Sequence, residues 1–109
     1  MASTLARRDI PALLLAVIAE GRIHGYGIAR RIEELTDGAL LLREGSLYPA
    51  LRALEHEGHV KSRWDDPGSG PARKVYVLTA SGRRERGRAL EEWRQYSDAV
   101  SAVLEETRR

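Results

Sequence analysis

The chain of 109 residues contains no cysteine, which excludes a disulfide framework and thiolate chemistry alike. It contains no phenylalanine, and aromatic residues make up only 6% of it, so a core must be built from Leu, Ile, Val and Ala. Long apolar runs are missing too. The nearest to one, residues 10–19 behind Arg7-Arg8, is interrupted by Pro11 and is too short to cross a bilayer. Asp9 and the lack of a clear cleavage site distinguish it from a secretory leader, so a cytoplasmic protein with no membrane partner is expected. Enzyme signatures are absent: there is no phosphate-cradling glycine loop, no nucleophile elbow and no zinc-type ligand pair. The closest cluster of ligand-type side chains is Glu55-His56-Glu57-Gly58-His59, and Gly58 ends the helix before His59 is reached. No metal or cofactor is expected there. Ser46 lacks a histidine base and an oxyanion site, so no catalysis is expected.

What is present is a globular composition, 42% hydrophobic and 31% charged, of a size for one domain. The net charge of +2 conceals a segregation. Residues 67–88 carry Arg73, Lys74, Arg83, Arg84, Arg86 and Arg88 against Glu85 alone, a net +5. Residues 89–109 carry three basic residues against five acidic ones, a net −2. A concentrated basic patch, rather than total charge, marks a nucleic-acid binder. The plain alternative is a solvated charged face.

Residues 45–60 organise the rest. Ser46 is placed to cap a helix, Pro49 to sit in its first turn, and Gly58 to end it. Leu47, Leu51 and Leu54 share one apolar stripe. The opposite side carries Pro49, Arg52, Ala53 and His56, with Ser46, Tyr48 and Glu55 near its edges. A face this small and hydrogen-bonding, with a guanidinium at its centre, can enter a DNA major groove. Residues 60–64 and 73–78 then read as two strands around the turn 65–71. A helix followed by a basic hairpin is the arrangement of a winged helix-turn-helix. The fold class expected is therefore mainly α with a small β-wing, closed by a long C-terminal dimerisation helix.

Taken in order, residues 1–8 read as a flexible arm, 9–79 as the DNA-binding domain and 80–109 as the dimerisation helix. Asp9 can cap the first helix, whose core stripe is Ile10, Leu13, Leu14, Val17 and Ile18. Leu15 lies on another side, a hint of a partner chain. The second helix opens at Gly25-Tyr26-Gly27, turns Ile28, Ile32 and Leu35 inward and stops at Gly38. Its N-terminal N–H groups can meet a phosphate. Residues 40–42 read as a brief strand against the wing. In the wing, Tyr76 and Leu78 should touch the core, and Trp64 should pack beneath. Thr79 caps the closing helix. There Leu90, Trp93, Ser97, Val100 and Leu104 follow the 3-4-3-4 spacing of a coiled-coil seam, flanked by Ala89, Tyr96 and Val103. No later element can cover that seam, so a second copy of the chain is the simplest partner.

Three segments carry a family resemblance. They are His24-Gly25-Tyr26-Gly27-Ile28, then Glu44-Gly45-Ser46-Leu47-Tyr48-Pro49-Ala50-Leu51 with Leu54-Glu55-His56-Glu57-Gly58, then Arg73-Lys74-Val75-Tyr76-Val77-Leu78-Thr79-Ala80-Ser81-Gly82. In this order and spacing, over about residues 8–106, the chain resembles the PadR-type transcriptional regulators, in the short branch with a single helix after the wing. The resemblance implies a homodimer whose closing helix packs on the partner's last and first helices. It also implies repression of a nearby operon. The DNA contacts expected on a pseudo-palindromic duplex operator are Tyr26, Ser46, Tyr48, Arg52, His56, Arg73 and Lys74. Arg52, His56 and Ser46 are placed to reach base edges, Arg73 and Lys74 to hold phosphates, and Tyr48 to touch backbone. Some members of the family bind planar aromatic compounds between paired tryptophans, and Trp93 matches that position. An effector slot would then involve Leu14, Leu15, Ile18, Trp93 and Ser97; the alternative is that Trp93 is plain interface core. The competing function is a winged-helix protein-interaction module, against which the basic wing argues.

Overall fold

The computed structural model describes residues 2–108; Met1 and Arg109, the outer ends of the expected arm and closing helix, lie outside them. In chain order the elements are β1 (Ser3–Thr4), a 3-10 turn (Arg7–Asp9), α1 (Ile10–Ile18), β2 (Ile23–His24), α2 (Gly25–Leu35), β3 (Leu40–Leu41), α3 (Glu44–His56), β4 (Val60–Asp65), β5 (Arg73–Leu78) and α4 (Ala80–Glu106).

α1 is the hub. It packs against α2, α3, α4 and β5, so it is buried on more than one side. Ile10, Leu14, Leu15, Val17 and Ile18 are all buried. Leu15 is only 1% exposed within its own chain, so its burial needs no partner. Asp9 does not cap α1 with its side chain. Its backbone is already turned, at φ −90° and ψ −13°, because it ends the 3-10 turn from which the helix continues.

The expected flexible arm is held to the body. Ser3 and Thr4 pair in parallel with Leu40 and Leu41, the Leu5 amide donates to the Leu41 carbonyl at 3.0 Å, and Leu5 is buried in the core. This also corrects the partner expected for residues 40–42: β3 pairs with β1, not with the wing. On α2, Ile28 and Ile32 are buried as their spacing requires, but Leu35 is 58% exposed. It stands on the last turn, where the apolar stripe outruns the surface it packs on.

The wing is the antiparallel sheet β2-β5-β4, with β5 central. Tyr76 and Leu78 are buried, as their alternation predicts. Cross-strand pairing sets Val60 opposite Leu78, Ser62 opposite Tyr76 and Trp64 opposite Lys74. Because side chains alternate along a strand, these pairs share one face. That face runs from apolar at the core to basic and aromatic at the wing's far end.

A tight joint connects the end of α3 to the start of α4. Gly58, at φ +81°, turns the chain out of α3. Thr79 Oγ1 donates to the Gly58 carbonyl at 2.6 Å and accepts from the Gly82 amide at 3.0 Å, so the expected cap of α4 is present. His59 Nδ1 lies 2.6 Å from Ser81 Oγ.

Candidate nucleic-acid interface

α3 presents the face that its sequence pattern requires. Leu47, Leu51 and Leu54 are buried, Arg52 and His56 are exposed, and Ser46 is half-buried. Its start differs from expectation. The helix begins at Glu44, after an Arg43 with extended backbone, and no side chain caps it. Ser46 therefore lies inside the first turn, its amide bonded to the Arg43 carbonyl at 3.0 Å. Pro49 falls in the second turn and removes the N–H that the Gly45 carbonyl would have used. Gly45 is exposed, so that carbonyl can meet water instead.

Tyr48 faces the opening of α2. A Cβ on Gly25 would come 2.9 Å from a Tyr48 ring carbon, so glycine is what lets the ring lie against the α2 backbone. Beyond it opens a groove of about 620 Å³ between the N-terminus of α2, α3 and the wing. Tyr26, Tyr48, Trp64, Arg73, Lys74 and Tyr76 line it together with Gly25 and its neighbours. Tyr26 stands 62% exposed at its lip, with the Arg30 guanidinium 5.9 Å from its ring centroid.

Glu55 ties α3 to the wing. Ser62 Oγ donates to its carboxylate at 2.6 Å, and Lys74 Nζ lies 3.9 Å from the other oxygen. Burial pushes the Tyr76 phenol above the ordinary tyrosine value; Glu55 and Tyr48 push the same way and Arg52 opposes them. The cluster Glu55-His56-Glu57-Gly58-His59 is thus divided: Glu55 serves the wing and His59 meets Ser81 at the α4 joint.

Four of the seven expected DNA-contact residues, Tyr26, Tyr48, Arg73 and Lys74, converge on the groove. Ser46, Arg52 and His56 belong to the exposed side of α3 beside it. The residue that sequence reasoning misplaced is Trp64. It is 68% exposed rather than packed beneath the wing, and Lys74 Nζ lies 6.0 Å from its ring centroid. The period-2 pattern that groups it with Val60 and Ser62 identifies the correct face, but the core ends before Trp64 is reached.

On α4, Leu90, Trp93, Val100 and Leu104 are between 38% and 64% exposed, together with Tyr96 and Val103 beside them. Ser97 is half-buried. Trp93 and Tyr96 stand 6.4 Å apart in a tilted pair, and the Arg8 guanidinium lies 5.5 Å from the Tyr96 ring centroid. Leu14, Leu15 and Ile18 do not join them. They are at most 2% exposed, enclosed by their own chain's core, and so offer a ligand no surface.

Three helices around a common core, a basic three-stranded wing and an outward-facing third helix define a winged helix-turn-helix protein. The model of the transcriptional regulator PadR-like family matches residues 14–88, and the chain belongs to that family, whose members are transcriptional regulators rather than enzymes. Among its relatives is the negative transcriptional regulator PadR of Bacillus subtilis (strain 168). It is 29% identical over 86 residues, 79% of this chain and 45% of that protein. A solved PadR family transcription regulator from Clostridium difficile R20291 superposes with a TM-score of 0.78 at 29% identity, covering 88% of this chain and 98% of that one. Bacillus subtilis PadR, solved in complex with operator DNA, gives a TM-score of 0.70 at 28% identity, covering 76% of this chain and 46% of that one.

Proposed function

We propose that the chain is a homodimeric, sequence-specific DNA-binding repressor that works in the cytoplasm. The observation that carries the reading is the groove where Tyr26 and Tyr48 meet Arg73 and Lys74 of the wing. Arg52 and His56 stand exposed on α3, the helix that supplies Tyr48, with Ser46 half-buried in its first turn. In this reading α3 enters a major groove, with Arg52 and His56 toward base edges, while the wing's cations and the two tyrosines hold the backbone. Operator binding by Bacillus subtilis PadR supports it. The basic wing favours DNA over a protein partner, because a protein-binding hairpin has no need of concentrated positive charge.

Dimerisation is supported by the uncovered apolar side of α4. A 27-residue helix whose seam faces solvent gains by burial against a copy of itself. Its charges favour an antiparallel pairing: Arg83, Arg84 and Arg86 near its start would meet Glu105 and Glu106 near the partner's end. Two copies of α3 related by a two-fold axis would then read a pseudo-palindromic site. An effector role for Trp93 belongs to the same reading. A planar aromatic compound between the two copies of Trp93, beside Ser97, would shift the opening angle of the dimer if it prefers one geometry.

An electrophoretic shift tests the function. The chain should retard the DNA upstream of its own coding sequence at concentrations that leave unrelated duplex free; equal or absent retardation of both contradicts the reading. For the effector, Trp64→Phe leaves Trp93 as the only tryptophan. A planar dye that quenches its emission should also weaken operator binding, and the role fails if quenching and affinity are unconnected.

A further inference from the structure

We propose that Trp64 is a DNA-contact residue. Its ring takes the sugar of the one strand that passes between α3 and the wing, while Lys74 and Arg73 hold the adjoining phosphates. This rests on the reading of the chain as a DNA binder and deepens it.

The first argument is geometric. Adjacent major and minor grooves of a duplex are separated by a single sugar–phosphate strand. If α3 lies in the major groove and the wing over the neighbouring minor groove, that strand must run through the space between them. In this molecule that space is the groove of about 620 Å³ with Trp64 and Lys74 on its wing side and Tyr26 and Tyr48 on its helix side.

The second argument is chemical. Trp64 is the largest side chain on the wing and is 68% exposed, so it contributes little to the core. It sits directly across the strand pair from Lys74, on the same face as Ser62, which bonds to Glu55 of α3. The face therefore points toward α3, and Trp64 lies where that face leaves the core. A cation beside a flat apolar ring matches a nucleotide backbone, which offers a phosphate anion next to a carbon-rich sugar. Such a contact is blind to sequence, because every nucleotide carries the same sugar and phosphate.

The test measures affinity by fluorescence anisotropy of end-labelled duplexes, one from the upstream region of the coding sequence and one of random sequence. Trp64→Ala should weaken both by roughly tenfold, in the range of an aromatic stacking contact. Trp64→Phe should weaken both less. The salt slope should stay unchanged, because no charge is removed. Lys74→Met, in contrast, should lower that slope by about one unit. The tryptophan emission change on adding DNA should disappear in Trp64→Phe. The proposal is overturned if Trp64→Ala binds both duplexes as the wild type does, if its loss is confined to the upstream duplex, or if the loss follows a fall in thermal stability. A wild-type chain that binds neither duplex overturns the DNA-binding reading, and this inference with it.

Discussion

Gly82 lies in the first turn of α4 with the carbonyl of His59 packed against it. A Cβ at this position overlaps that carbonyl oxygen, which is backbone and cannot swing away. Gly82→Ala should therefore destabilise the fold by about 1–3 kcal/mol, although alanine is the better helix former. Thr79→Ala, which removes the cap on the Gly82 amide and the bond to Gly58, should lose about 1 kcal/mol. Urea denaturation measures both. A Gly82→Ala variant as stable as the wild type would mean that the joint is looser than its geometry implies. Arg52 is a residue of another kind, exposed and without a role in the core. Arg52→Ala should leave stability unchanged and relax specificity, at a cost of about 1–3 kcal/mol on the operator if it makes a bidentate base contact. Equal losses on operator and random duplex would refute the base-reading role. The sequence made Thr79, Gly58 and the stripe Leu47, Leu51, Leu54 legible, because caps, helix stops and periodicity are local signals. It did not make Leu35 or Trp64 legible. Both follow the right period, and only the three-dimensional extent of the core decides that they lie beyond it.

At the level of elements, the proposed reading divides the work on DNA between the wing and α3. Arg73→Ala should weaken binding to all sequences alike and lower the salt slope by about one unit for the lost phosphate contact. Titrations over a range of salt concentrations read this directly, and an unchanged slope would remove Arg73 from the phosphate contacts. The strands β4 and β5 and the helix α4 were visible in the sequence from alternation, turn residues and the Thr79 cap; the short β2 that completes the wing was not. The start of α3 was not. A serine ahead of an apolar stripe and a proline three residues later read as a cap and first turn. In the structure Arg43, three residues before Ser46, is the extended cap position and the helix opens at Glu44. The leading segment was illegible for a different reason. Ser3 and Thr4 have no apolar pattern of their own, and their order comes from pairing with a strand almost forty residues away.

At the scale of the molecule, α4 gives the chain its length, with extents of 61 × 32 × 21 Å. Its uncovered seam predicts a dimer. Replacing Val100 and Leu104 together by Glu would place four carboxylates in the buried interface of a two-fold pair and should yield monomers in light scattering. A double variant that still runs as a dimer would move the interface elsewhere. That Leu90, Trp93, Val100 and Leu104 lie outside the core on α4 was legible from spacing alone. The closure of Leu15 within its own chain was not, because periodicity cannot tell whether a second apolar flank is covered by the same chain or by another. Dimer and surface together make the central claim, that two copies of α3 read two half-sites. Hydroxyl-radical footprinting of the wild-type chain on the DNA upstream of its own coding sequence measures this most directly. The account predicts two protected patches related by a two-fold axis, with centres about 10–10.5 base pairs apart or a multiple of that. A single patch, or uniform weak protection along the duplex, would contradict it.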